Sequence, residues 1–241
     1  MSDKPIKIVI KIESDDTKAN DTKRCHSSLI DAAQKGCVEC VKLLKDKEAG
    51  KRDENGWTAL MWATWNQYTE CVKLLIDKEA GIADKSGKTA LMNAAYWGLT
   101  ECVKLLIDKE AGMSSKSGET ALMHAAQYNC VECVKLLVDK EAGKRDKDGY
   151  TALIWAAQRG QPECVNLLMP HEVEMKDKYG KTALDHAKNE NIRKPIQDYL
   201  EKKEKKAEKE VTHEAMHEAT HEINLSGSDK KIVITIVKNP C

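Results

Sequence analysis

The phrase Thr-Ala-Leu-Met begins at Thr58, Thr89 and Thr120 and returns as Thr-Ala-Leu-Ile at Thr151 and Thr-Ala-Leu-Asp at Thr182; Ser-Ser-Leu-Ile at Ser27 precedes them. Each start lies 31 residues after the last. A second phrase, Glu-Cys-Val-Lys-Leu-Leu, keeps the same step from Glu39 through Glu70, Glu101 and Glu132 and ends as Glu-Cys-Val-Asn-Leu-Leu at Glu163. A period of this length holds one supersecondary unit, too thin to bury an apolar face alone, so the units must stack on their neighbours. Six units are expected within residues 25–198, starting near 27, 58, 89, 120, 151 and 182.

Each unit spells two helices. Gly56, Gly87, Gly118, Gly149 and Gly180 stand two residues before a Thr, which suits a turn needing positive φ followed by a hydroxyl cap on a helix start. That helix is short and thin in its apolar face: Leu60 and Ala63 recur as Leu91 and Ala94, Leu122 and Ala125, Leu153 and Ala156. The second helix opens on a Glu suited to the positive end of the dipole and turns Val72, Leu75 and their equivalents inward. It closes at Lys-Glu-Ala-Gly (47–50, 78–81, 109–112, 140–143), where glycine is expected to stop it.

The stretch Asp53 to Gly81, DENGWTALMWATWNQYTECVKLLIDKEAG, resembles an ankyrin repeat. The resemblance runs in register over about 175 residues and departs from the family pattern in three ways. Ala replaces Pro after the cap, Met mostly replaces His, and each unit is two residues shorter than the usual 33. It implies an all-α solenoid of stacked helix pairs. It also implies that the turn positions, the residue before Thr and the last two residues of the short helix project from the concave side and fingertips. Those slots hold Trp57, Trp65, Tyr96, Trp97, Tyr128, Tyr150 and Tyr179, seven of the eleven aromatic residues, in a chain with no Phe. Trp62, His124, Trp155 and His186 share the slot after the Thr-Ala-Leu phrase and are expected to border the same groove. Trp and Tyr combine large area with a polar handle and dominate interface hot spots. A rim of Lys85, Lys88, Lys116, Arg145, Lys147, Arg159, Lys178 and Lys181, against Glu54, Glu119 and Asp148, favours an acidic and apolar protein partner. The competing expectation is that the rings only cover neighbouring helices.

The 39 basic and 39 acidic side chains cancel, so no global field recommends nucleic acid or an anionic membrane. No apolar run approaches the ~20 residues of a membrane span, and no charged-then-apolar leader opens the chain, so a cytoplasmic protein is expected. On that reading the nine cysteines are reduced thiols. Cys40, Cys71, Cys102, Cys133 and Cys164 occupy one repeated slot and are expected in the core. Two Cys-x-x-Cys pairs, Cys37 with Cys40 and Cys130 with Cys133, stand three units apart, too far to share one zinc ion.

Beyond the array, residues 199–223 read as one charged helix of 25 residues, with a tail at 224–241. The helix carries His-Glu-x-x-His twice, from His213 and from His217. On a helix that spacing sets two imidazoles one turn apart with a Glu beside them, the zinc-protease pattern. A catalytic zinc site also needs a third ligand and a cleft, and only 19 residues follow Glu222. No catalytic residue and no cofactor is therefore expected; His213, His217 and His221 remain weak metal-ligand candidates. Residues 1–24 hold a strand signal, Lys7 to Ile12, and an acidic linker; Lys231 to Ile236 nearly repeats that strand. The two could pair with each other, mediate self-association as edge strands, or, through Ile8 to Asp16, resemble segments that dock on small ubiquitin-like modifiers.

Overall fold

A computed structural model describes residues 28–225, with side chains described through residue 209. Both candidate terminal strands, Lys7 to Ile12 and Lys231 to Ile236, lie outside the described residues, as do the side chains of His213, His217 and His221. Among the described residues the secondary structure is twelve helices in six consecutive pairs and no strand. The pairs are α1 (Leu29–Gln34) with α2 (Val38–Glu48), α3 (Ala59–Trp65) with α4 (Thr69–Glu79), and α5 (Ala90–Trp97) with α6 (Thr100–Glu110). They continue as α7 (Ala121–Gln127) with α8 (Val131–Glu141), α9 (Ala152–Arg159) with α10 (Pro162–Glu172), and α11 (Ala183–His186) with α12 (Glu190–Leu225). The chain divides into two compact units, one holding residues up to 94 with 99–116, the other 95–98 with everything from 117.

The short helices start where the hydroxyl residues say they should. Thr58, Thr120 and Thr151 accept from the backbone N–H three residues on at 3.4–3.5 Å, and Ser28 does so for α1 at 3.1 Å. Their apolar positions are closed to solvent: Leu29, Leu60, Leu91, Leu122 and Leu153 are each at most 1% exposed. From the second helices Val72, Val103, Val134 and Val165 join them with Leu75, Leu106, Leu137 and Leu168, so within each compact unit the core lies between the helices of one pair and those of the adjoining pair. The repeated cysteine slot is core as expected at Cys71, Cys102, Cys133 and Cys164, while Cys40 is half-buried. Burial pushes the Cys71, Cys102 and Cys164 thiols up to about 11.

Glycine does not stop the second helices in the way the sequence suggests. The last helical residue is the Glu of Lys-Glu-Ala-Gly, and the chain then makes a type II turn. Ala49 has φ −55° and ψ 141°, Gly50 has φ 83°, and the Lys51 N–H closes the turn on the Glu48 carbonyl at 3.2 Å. The glycine is needed at the third turn position, where an L side chain would be strained. A second glycine requirement is steric: a Cβ on Gly87 would come 2.6 Å from the Lys116 backbone nitrogen. Turns meet there by main-chain hydrogen bonds, Lys85 to Asn55 and Lys116 to Ser86 in the first unit, Lys147 to Ser117 and Lys178 to Asp148 in the second.

The final helix differs from its expected bounds. α12 begins at Glu190, passes Pro195 and runs 36 residues to Leu225, so the last pair's second helix and the charged helix are one element. The slot that holds Gly50, Gly81, Gly112 and Gly143 is Lys205 in this pair. The fifth pair carries Glu174 in that slot and α10 still ends at Glu172, so the missing glycine permits the continuation without by itself causing it.

Candidate interaction surface

Two features missed in the sequence build the site from below. The first is a buried carboxylate ladder. Glu79 Oε2 accepts the Leu60 N–H at 2.6 Å and its Oε1 the Gly50 N–H at 3.0 Å, although Glu79 is 1% exposed. Glu110 does the same for Leu91 and Gly81, and Glu172 for Leu153 and Gly143. Glu141 accepts from Leu122 and Glu48 from Leu29. Each ladder Glu thus satisfies an orphan amide at the start of its own pair's short helix, and in those three pairs it also binds the turn glycine of the preceding pair. Burial pushes the Glu110 and Glu172 carboxyls above the usual range, against the pull of these donors. At Glu48 the Lys51 ammonium and the Leu29 amide hold the carboxyl below it. The signal in the sequence was a Glu at the C-terminal end of the second helix in five successive pairs, where the dipole disfavours a negative charge.

The second feature is an aspartate that anchors a ring nine residues on. Asp53 Oδ1 accepts the amides of Asn55 and Trp57 at 2.8 Å, shaping the turn, and its Oδ2 takes the Trp62 indole N–H at 2.9 Å. Asp146 repeats this with Asp148, Tyr150 and the Trp155 indole, and Asp177 with Tyr179, Lys181 and His186 Nε2 at 2.8 Å. Burial raises the Asp177 carboxyl, but the Lys181 amide, His186 and the Tyr179 amide outweigh it and leave it below the ordinary range. Where the turn residue is Ser115 the ring slot holds His124, which is 2% exposed. The slot expected to border a groove thus also ties the turn to the short helix. Trp62, Trp155 and His186 direct their polar handles to the turn within their own repeat, and His124 meets the ring of Tyr96 edge-on, 5.9 Å between centroids.

Of the remaining candidates Trp65, Trp97, Tyr128, Arg159 and Tyr179 are exposed, while Trp57, Tyr96 and Tyr150 are half-buried. In the first unit Trp57 contacts Trp62 and Trp65 at ring-centroid distances of 4.9 and 5.8 Å, and Trp65 is 37% exposed. In the second, Tyr96 packs on Trp97 at 4.8 Å and on Tyr128 at 4.1 Å, leaving Trp97 51% and Tyr128 45% exposed. These rings, with Gly98, Asn129 and Cys130, line an open cleft of about 420 Å³. The hydrogen bond with Tyr96, and then burial, raise the Tyr128 phenol above its ordinary range. Tyr150 is half-buried between Trp155 and His186, at 5.1 and 4.9 Å, and burial raises its phenol. Tyr179 is fully presented at 71%, with the Lys178 ammonium 5.0 Å from its ring centre. Arg159 is exposed at the end of α9. Sequence reasoning missed Tyr68, 39% exposed at the start of α4; Leu43, 56% exposed on α2, is not among the ring contacts of this surface.

Part of the expected basic rim is already committed. Lys178 ion-pairs with Asp148, which holds the ammonium above its ordinary range, and the Arg145 guanidinium donates to the Lys176 carbonyl. The cysteines also require a correction. Cys130 and Cys133 are joined as a disulfide, so the thiols are not all reduced, whereas at the equivalent place in α2 the Cys37 Sγ donates to the Cys40 Sγ at 2.8 Å. Among the described residues no group of three or more His, Cys, Asp or Glu is placed to hold a metal ion, and no helix is long and apolar enough to cross a membrane.

Helix pairs at a fixed step, with recurring core slots and aromatic residues at variable turn and helix-end slots, define a repeat solenoid. The chain belongs to the ankyrin-repeat family: the family model described as ankyrin repeats (3 copies) matches residues 4–86, 77–148 and 139–211. Among solved structures it is similar to the ankyrin repeat protein EF0377, at 26% identity and a TM-score of 0.62 over 71% of this chain and 96% of that one. An ankyrin repeat domain from Acinetobacter baumannii AYE is 25% identical with a TM-score of 0.63, over 70% of this chain and 95% of that one. The ankyrin repeat domain of Bcl-3, a member of the IkappaB protein family, shares the fold at 24% identity and a TM-score of 0.64, over 70% and 81% of the two chains. None of the curated proteins matches the chain. Ankyrin repeats are generally protein–protein interaction modules.

Proposed function

We propose that this chain is a non-catalytic scaffold that binds a protein partner through Trp65 in its first unit and the Trp97, Tyr96 and Tyr128 cleft in its second, with Tyr150 and Tyr179 extending the second surface. The observation that carries the reading is the cleft itself: two aromatic rings about half exposed, Trp97 at the end of α5 and Tyr128 at the end of α7, packed against the half-buried Tyr96 between them. Leaving such rings in water forgoes the burial free energy of large side chains, which a partner would recover. Trp62, Trp155 and His186 serve this surface indirectly, by fixing the turns that carry Trp57, Tyr150 and Tyr179. The basic side chains nearby, Lys85, Lys116, Lys147, Arg159 and Lys181, support an acidic and apolar partner whose association weakens as salt is raised.

The test compares affinity isolation by the wild-type chain with a Trp65→Ala, Trp97→Ala double variant and with Leu43→Ala as an exposed control, all checked for helical content. The expected result is an interactor retained by wild type and control and reduced at least about tenfold by the double variant, the scale of one lost hot spot. Retention of every interactor by the double variant rules this surface out.

A further inference from the structure

We propose that Cys130 and Cys133 form a redox-active dithiol that exchanges with low-molecular-weight disulfides and thiols, with Cys130 as the sulfur that meets the incoming reagent. In the first five pairs the residue before the second helix is Cys37, Tyr68, Leu99, Cys130 or Gln161, while the position three residues on is cysteine in each of them. A Cys-x-x-Cys therefore arises only at α2 and α8. Residues i and i+3 share a helix face, and the Cα atoms of Cys130 and Cys133 are 5.3 Å apart, within the span a disulfide bridges. The sulfurs are bonded at α8, and at α2 the equivalent sulfurs stand 2.8 Å apart, so the same local backbone brings two cysteines together twice.

The α8 pair is asymmetric in the way exchange requires. Cys130 is half-buried and lines the cleft beside Trp97 and Tyr128; Cys133 is buried beside Val134 and Leu137. A Cβ built on Gly98 would lie 3.5 Å from the Cys130 sulfur, so the glycine keeps an approach from the cleft side open. Cys130 caps an eleven-residue helix, whose positive end favours a thiolate, and the neighbouring Glu132 carboxylate is paired with Lys135 at 2.7 Å. Cys71, Cys102 and Cys164 have no such partner at their helix starts, and burial holds them as thiols.

The chemistry closes without any further reactant. In the reduced form the Cys130 thiolate attacks one sulfur of a small disulfide, forming a mixed disulfide and expelling one thiolate, which takes up a proton. Cys133 then loses its proton to solvent, its sulfur attacks that of Cys130, and the second small thiolate leaves and is protonated. The protein has lost two electrons and two protons, and the small disulfide has become two thiols. Excess thiol drives both steps backwards.

The experiment equilibrates the full chain in glutathione buffers of rising disulfide fraction, quenches in acid, alkylates and digests with trypsin. Cys130 and Cys133 fall on one peptide, Ser117 to Lys135, and Cys37 and Cys40 on another, Gly36 to Lys42, while Cys71 has a peptide of its own. The expected result is that the Ser117 to Lys135 peptide passes from doubly alkylated to unalkylated and two hydrogens lighter, while the Cys71 peptide stays alkylated throughout. Cys133→Ser is expected to accumulate a glutathionyl adduct on Cys130, and Cys130→Ser to accumulate none on Cys133. Should Cys133→Ser fail to fold, the wild-type titration and Cys130→Ser decide, since that slot already takes Tyr, Leu and Gln in sibling pairs. A doubly alkylated peptide at every ratio, or an adduct on Cys133 in Cys130→Ser, overturns the proposal.

Discussion

Between the two helices of each of the first five pairs one residue adopts positive φ: Gly36, Gln67, Gly98, Asn129 and Gly160. Glycine holds this conformation without strain and Asn tolerates it through its short polar side chain, but Gln has neither advantage. Gln67→Gly is expected to raise stability by roughly 0.5–1 kcal/mol in urea unfolding, and Asn129→Gly by less. A Gln67→Gly midpoint below wild type would refute the strain at that residue. A second residue-scale prediction concerns the ring anchors. Trp155→Phe keeps the ring and deletes the indole N–H that meets Asp146, so it should cost about 1 kcal/mol, the net worth of one hydrogen bond. An unchanged midpoint would mean that the Asp146 turn stands without its ring. These positions escape a reading by pattern, because a glycine slot occupied by Gln and an aspartate pairing nine residues away have no periodic signature of their own.

The second helices are the elements where buried charge replaces a terminal cap. Glu110 accepts backbone N–H groups through both carboxylate oxygens, so Glu110→Gln must turn an amide donor toward one of them. The expected cost is about 2–3 kcal/mol, the range for leaving a buried donor unsatisfied, read as a lower urea midpoint with an unchanged slope. The short α11 relies on a different device: Asp185 accepts from both the amide and the hydroxyl of Thr182, and these bonds hold its carboxyl below the usual range. A depressed carboxyl contributes stability above its unfolded value of about 3.9, and that contribution is lost as pH falls through the lower folded value. Wild type is therefore expected to exceed Asp185→Asn in stability at pH 6, with the gap closing in strong acid. A gap that persists below the folded value, or widens there, would reject the charged cap.

For the molecule as a whole, stability in a stacked array is roughly a sum of unit and nearest-neighbour terms. Excising residues 120–150 joins Glu119 to Thr151 and preserves the repeat frame. The shortened chain is expected to unfold at lower denaturant and with a smaller slope, because it buries less surface. Full retention of the wild-type midpoint would show that neighbouring pairs do not support one another. The period, the two helices per pair, the capping hydroxyls and the cysteine core were all legible in the amino-acid sequence, because each repeats every 31 residues and local chemistry decides it. Exposed Trp65, Trp97, Tyr128 and Tyr179 were legible for the same reason, as the variable slots in an otherwise constant frame. What only the tertiary structure decided were partners distant in the chain. A carboxylate reaches a glycine 29 residues back, an indole turns inward to an aspartate, Ala-Gly becomes a type II turn, and two cysteines meet across one helical turn. Hydrophobic periodicity records which face of a helix is buried, but a buried polar atom is placed by whichever neighbour can satisfy it, and that neighbour exists only once the pairs have stacked.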